Sequence, residues 1–190
     1  MNRAALYPLA LSLLLSSCEK TGVNALPEAT QTGRNTMGCL LDGTPWLPYR
    51  NAALPGSISL RPPVLAYWRV HDRGRVSLDL YFSRDRQPGR YISSVALYAP
   101  AVTGPATLAL NQRRRTVPEP PNGSFSNADE TPDLTYFTGP AATGELVITC
   151  FDTTARVVSG TFAFTGLADD ASGRTVALSQ GRFDVKLERR

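Results

Sequence analysis

Residues 144–187 read GELVITCFDTTARVVSGTFAFTGLADDASGRTVALSQGRFDVKL, and this stretch decides the fold. Gly160, Phe162 and Phe164 alternate with Thr161, Ala163 and Thr165. Val176 and Leu178 alternate with Thr175 and Ala177, and Phe183, Val185 and Leu187 with Arg182, Asp184 and Lys186. A period of two means strands with one buried and one wet face. The intervening Gly, Asp and Ser residues tolerate the backbone angles of sharp reversals.

The same pattern continues upstream. Thr36 to Pro48 predicts a hairpin about Asp42-Gly43, a type I′ turn pair that sets Cys39 opposite Trp46 and makes Trp46 a core residue. Ser57 to Leu60 is a short strand candidate. Val64 to Asp72 and Arg75 to Ser83 predict a second hairpin across Arg73-Gly74, with Val76, Leu78, Leu80 and Phe82 facing inward. Gly89 to Tyr98, Ala106 to Leu110 and Leu134 to Phe137 read as further strands. Asn111 to Asp133 carries Arg113, Arg114 and Arg115, then four prolines and Asn122-Gly123, and predicts a mobile loop near 111–133, with an Arg-lined contact for a phosphate or acidic glycan as the alternative. Beyond the N-terminus no long stretch has helical spacing. The expectation is an all-β protein, an antiparallel β-sandwich or open β-barrel, with a single domain over 35–190.

The first residues follow another logic. Arg3 supplies a positive start, Ala4 to Leu15 an apolar run too short to span a bilayer, and Leu15-Ser16-Ser17-Cys18 follows. This resembles the bacterial lipobox. The resemblance implies a signal peptide over 1–17 and a Cys18 acylated on thiol and amine, and more than one acyl chain anchors stably. Residues 18–34 lack periodicity and read as a flexible tether. The residue after Cys18 is Glu19 rather than the Asp of inner-membrane retention, which favours the outer membrane, facing either the periplasm or the outside.

With Cys18 acylated, Cys39 and Cys150 remain. An oxidising compartment and compatible strand phase allow a disulfide between them; two separate buried thiols are the alternative. Two Cys and the lone His71 make no zinc site, and no cofactor is indicated. The net charge of +4 comes from scattered arginines, which form no stripe for nucleic acid. Asp169-Asp170 lies in a turn short of the oxygen ligands calcium needs.

Outward positions of the second hairpin group Tyr67, Arg69, His71, Asp79 and Tyr81. An aromatic–arginine face of this kind can stack on a sugar; an ordinary wet sheet face has the same composition. No catalytic motif is legible: His71 is mid-strand with no nucleophile elbow, and nothing links any two carboxylates. The expected role is a membrane-anchored, non-enzymatic binding or structural accessory, with a glycan or an envelope protein as partner. A lipocalin-like carrier of an apolar ligand and an unfamiliar envelope hydrolase are the alternatives. A concave pocket holding two carboxylates would favour the hydrolase.

The lipobox, the block LPEATQTGRNTMGCLLDGTPWLP, and SGTFAFTG followed by GRFDVKL together resemble a family of uncharacterised Bacteroidota lipoproteins with an ATQTG…GC…W opening and an SGTF.F…GRFD close. The resemblance covers both ends and not 51–140. It implies an all-β envelope lipoprotein and supplies no active site. It also implies that Asp152-Thr153-Thr154 is an O-glycosylation signal of that phylum, with Thr153 as acceptor.

Overall fold

A computed structural model describes residues 25–49, 62–71, 74–87, 90–113, 119–128 and 133–190, with backbone alone at 86–87 and 90–92. Cys18, the signal segment and Ser57 to Leu60 lie outside these residues. The described residues form eleven strands: β1 (Thr36–Leu41), β2 (Thr44–Trp46), β3 (Val64–Val70), β4 (Val76–Gln87), β5 (Arg90–Ala99), β6 (Ala106–Ala109), β7 (Asn122–Asn127), β8 (Leu134–Phe137), β9 (Gly144–Asp152), β10 (Val157–Ala168) and β11 (Thr175–Arg189). No α-helix occurs among the described residues. The fold is all-β, as the alternation demanded.

The long β10–β11 hairpin organises the rest. One layer runs β6–β9–β10–β11–β1–β2 and the other β3–β4–β5–β7–β8, with every pair inside a layer antiparallel. Diagonal corners of the hairpin join the layers. The end of β11 pairs in parallel with β3 (Leu187 to Ala66), and the end of β10 pairs with β8 (Leu167 to Phe137). Pairing therefore runs unbroken round the ring β11–β3–β4–β5–β7–β8–β10, a sandwich with barrel-like closure.

Inward residues of both layers meet in one core. The rings of Phe82 on β4 and Phe183 on β11 lie 6.3 Å apart, and the Trp46 indole Nε1 donates to Ser93 Oγ across the layers at 2.9 Å. Leu78, Leu80, Phe82, Val95 and Leu97 are at most 2% exposed. Each such side chain contributes about 1.5–3 kcal/mol of burial. Asp42 (φ 47°) and Gly43 (φ 83°) form the expected left-handed turn pair, with Cys39 opposite Trp46.

Three sequence expectations need correction. The segment 111–133 is not one loop, because it contains β7, hydrogen-bonded between β5 and β8. Its Asn-Gly-Ser composition hid it. Gly123 packs closely there, since a Cβ would lie 3.2 Å from the Phe164 ring. Arg114 and Arg115 lie outside the described residues, and the Arg113 guanidinium sits 4.9 Å over the Phe137 ring.

The Cys39–Cys150 disulfide is absent, and both thiols are free. Cys39 is on β1 and Cys150 on β9, with β10 and β11 between them. Three strand spacings put about 14 Å between the two strands, whereas bridging needs Cα atoms closer than about 7 Å. Burial pushes the Cys39 thiol up to about 12; burial, then the charges of Asp152 and Asp184, raise that of Cys150.

The tether predicted over 18–34 is packed from Ala25 onward. Asp184, 1% exposed, stands on the face of β11 opposite Phe183 and Val185, between β1 and β10, where this segment arrives. Its carboxylate accepts from Thr30 Oγ1 (2.5 Å), Thr32 N (3.0 Å), Gly33 N (2.7 Å) and Arg34 N (3.3 Å), and from Ser159 Oγ (2.8 Å). Burial alone would raise its proton affinity. The donors outweigh burial and hold the carboxyl well below the usual range. Asn35 Oδ1 accepts from Lys186 N at 2.9 Å, Arg182 reaches the Pro27 carbonyl at 3.3 Å, and Leu26 is 8% exposed. The ATQTG and GRFD blocks are thus two halves of one latch.

Candidate functional site

The outer face of the β3–β4–β5–β7 layer is built by cross-strand register. Tyr67 pairs with Asp79, Asp79 with Tyr98, and Tyr98 with Asn122, so these four form one row across four strands. The next row is Leu65, Tyr81, Ala96 and Ser124. Outward parity puts these side chains opposite the core, as alternation requires. The rows floor a groove of about 270 Å³, walled by Glu119 and Arg190.

Its chemistry is mixed. The Arg190 guanidinium lies over the Tyr67 ring, 3.8 Å from the centroid, and Arg190 N donates to the Trp68 carbonyl at 3.0 Å. Asp79 is half-buried, and among the described residues its carboxylate has no hydrogen-bond or ion-pair partner. Glu119 accepts from Asn122 Nδ2 at 3.1 Å, which ties one wall to the floor. Burial, then the charge of Glu119, raises the Tyr98 phenol above its ordinary value, and Asp79 adds to this. A Ser77 hydrogen bond and Arg69 act the other way.

A second hollow of about 520 Å³ adjoins the groove through Tyr98 and Glu119, and is lined also by His71, Arg75, Ser77 and Pro120. His71 Nε2 and Ser77 Oγ are 2.7 Å apart. That is half of a nucleophile–base arrangement, but Ser77 is only 2% exposed and also bonds Tyr98. No described carboxylate hydrogen-bonds His71 to orient it. The pair links the end of the β3–β4 hairpin to β5.

No family model, curated protein or solved structure matches this chain.

Of the surface residues singled out from sequence, Tyr67, Asp79 and Tyr81 come together in the groove. His71 lines the neighbouring hollow, and exposed Arg69 acts on Tyr98 through its charge. Sequence reasoning missed Tyr98, Glu119, Asn122, Ser124 and Arg190. Tyr98 needed the β4–β5 register to appear beside Asp79, and Glu119 and Asn122 fell in the segment read as loop. Thr153 is exposed in the β9–β10 turn, where Asp152 Oδ1 accepts from the Thr154 and Ala155 amides at 2.8 and 2.7 Å. The Asp170 carboxylate is engaged by Ser172 N and by Arg174 Nη2, both at 3.0 Å, so its loop is tied to itself. Among the described residues no three His, Cys, Asp or Glu cluster as metal ligands.

Proposed function

We propose that this chain is an envelope lipoprotein, anchored in the bacterial outer membrane through acylated Cys18, whose β domain binds a hydroxyl-rich ligand of the glycan class in the Tyr67–Tyr98 groove. The carrying observation is the row Tyr67–Asp79–Tyr98–Asn122 at the floor of a concave site. Phenol rings offer faces for sugar rings, while the open Asp79 carboxylate, Asn122 and Ser124 offer hydrogen bonds to hydroxyls. The lipobox and the resemblance to Bacteroidota lipoproteins support the location. The near-zero exposure of the inward residues leaves their side chains packed on one another, so a glycan groove accounts for more than an apolar interior site does. The test is a glycan array probed with the full chain in detergent. Binding should appear and fall at least tenfold in Tyr67→Ala and Tyr98→Ala, and a blank array would overturn the reading.

One observation favours a second reading, the hydrolase. Asp79 and Glu119 line the same groove, and glycoside hydrolysis uses two carboxylates flanking one bond. Turnover of aryl glycosides that disappears in both Asp79→Asn and Glu119→Gln would establish it, and no turnover would leave binding alone.

A further inference from the structure

The groove already holds a positive group of its own. Arg190 places its guanidinium on the Tyr67 ring at 3.8 Å, the distance at which a cation feels the ring's negative face. The cross-strand neighbour of Tyr67 on that face is Asp79, whose carboxylate no described group occupies. Cβ atoms of such a pair stand about 5 Å apart, so the carboxylate flanks the ring; the guanidinium on the ring does not pair with it, whereas a small ammonium seated between the two would meet both. Glu119 brings a second carboxylate to the groove, and among the described residues lining it Arg190 is the one cationic side chain. Arg69 lies near enough to act on Tyr98, but Glu119 and Asp79 each act on that phenol more strongly than Arg69 does.

The geometry points to an amino sugar as the ligand: its ammonium sits between the Tyr67 ring and the Asp79 carboxylate, displacing the Arg190 guanidinium from the ring, while its hydroxyls meet Asn122 and Ser124. This rests on the glycan reading above and names the substrate class within it. The volume of about 270 Å³ suits one or two sugar rings rather than a folded partner. Arg190 acts as an internal competitor that the ligand displaces.

The test compares two probes that differ only in charge. The full chain in detergent is titrated calorimetrically with a glucosamine tetramer and with its N-acetylated counterpart. The free amine should bind at least tenfold more tightly at low salt. The preference should shrink to within twofold in Asp79→Asn, an isosteric change at a position outside the core. Arg190→Ala should tighten amine binding several-fold by removing the competitor. Equal binding of the two tetramers would overturn the cationic subsite and leave the glycan reading standing. Binding of neither would overturn both. Lysine amide binding as tightly as the amino sugar would overturn the sugar part of the assignment.

Discussion

Replacing Asp184 by Asn should release the segment that begins at Ala25. The change keeps size and one carbonyl oxygen but removes the charge that gathers the Thr30, Thr32, Gly33, Arg34 and Ser159 donors. It also turns an amide NH₂ toward backbone amides, which can only donate. A hydrogen bond to a charged acceptor contributes about 1.5–3 kcal/mol net, and a buried donor left unpaired costs about 1–3 kcal/mol. Simple addition over five donors overstates the loss, because 25–34 can move out and let its amides meet water. Ser159 cannot, and the docked contacts of Leu26 and Arg182 go with the segment. We expect a loss of about 3 kcal/mol, which at a urea m-value of about 2 kcal/mol/M lowers the midpoint by about 1.5 M. Hydrogen exchange at 30–34 should become fast while the β3–β5 amides stay protected.

The pH dependence has a definite sign. A carboxylate whose folded proton affinity is depressed stabilises fully above its unfolded pKa, about 3.9 for Asp. That contribution fades as pH falls from there toward the lower folded value. The gap between wild type and Asp184→Asn should thus be constant from pH 5 to 7 and narrow steadily below about 4. A variant within 0.5 kcal/mol of wild type at pH 7, a difference of the size expected for ordinary surface changes, would refute the latch.

Cys18→Ser should abolish incorporation of labelled palmitate and leave the precursor unprocessed, read by mass spectrometry. Native protein should show the same mass with and without reductant. Iodoacetamide should modify Cys150 before Cys39, whose buried thiol, pushed up to about 12, stays protonated at neutral pH; urea should equalise them. Gly160→Val should destabilise by more than about 4 kcal/mol or prevent folding, because its Cβ would lie 2.0 Å from the Val147 carbonyl oxygen. Trp46→Phe should cost about 1–2 kcal/mol for the lost bond to Ser93, seen as a lowered thermal midpoint.

Local chemistry was legible in the sequence. The Asp42-Gly43 turn fixed the Cys39–Trp46 register, and alternation in Val76–Phe82 named an inward face that the structure repeats. Strand β7 was not legible, because Asn122, Gly123, Ser124 and Ser126 have turn composition and only Phe125 reports a buried face. The missing disulfide has a related cause. Strand phase says which face a cysteine occupies but not how many strands separate two of them. Half of the groove could be read from one hairpin, while Tyr98 and Asn122 required the lateral order β4–β5–β7, and Arg190 the parallel corner of β11 on β3. The latch joins residues about 150 positions apart, a separation no local pattern records.

The packing of Ala25 to Arg34 changes what a lipid on Cys18 would hold. Only the links from Cys18 to Ala25 remain to span the gap, a reach of roughly 25 Å at full extension, where a leash running to Arg34 would reach more than twice as far. A domain moored by such a lipid would ride just above the headgroups with little freedom to search. A tug through such a lipid would meet the Leu26 and Arg182 contacts and then Asp184, all inside the layer, so the load would enter through β11 in shear instead of unzipping β1 from the rim.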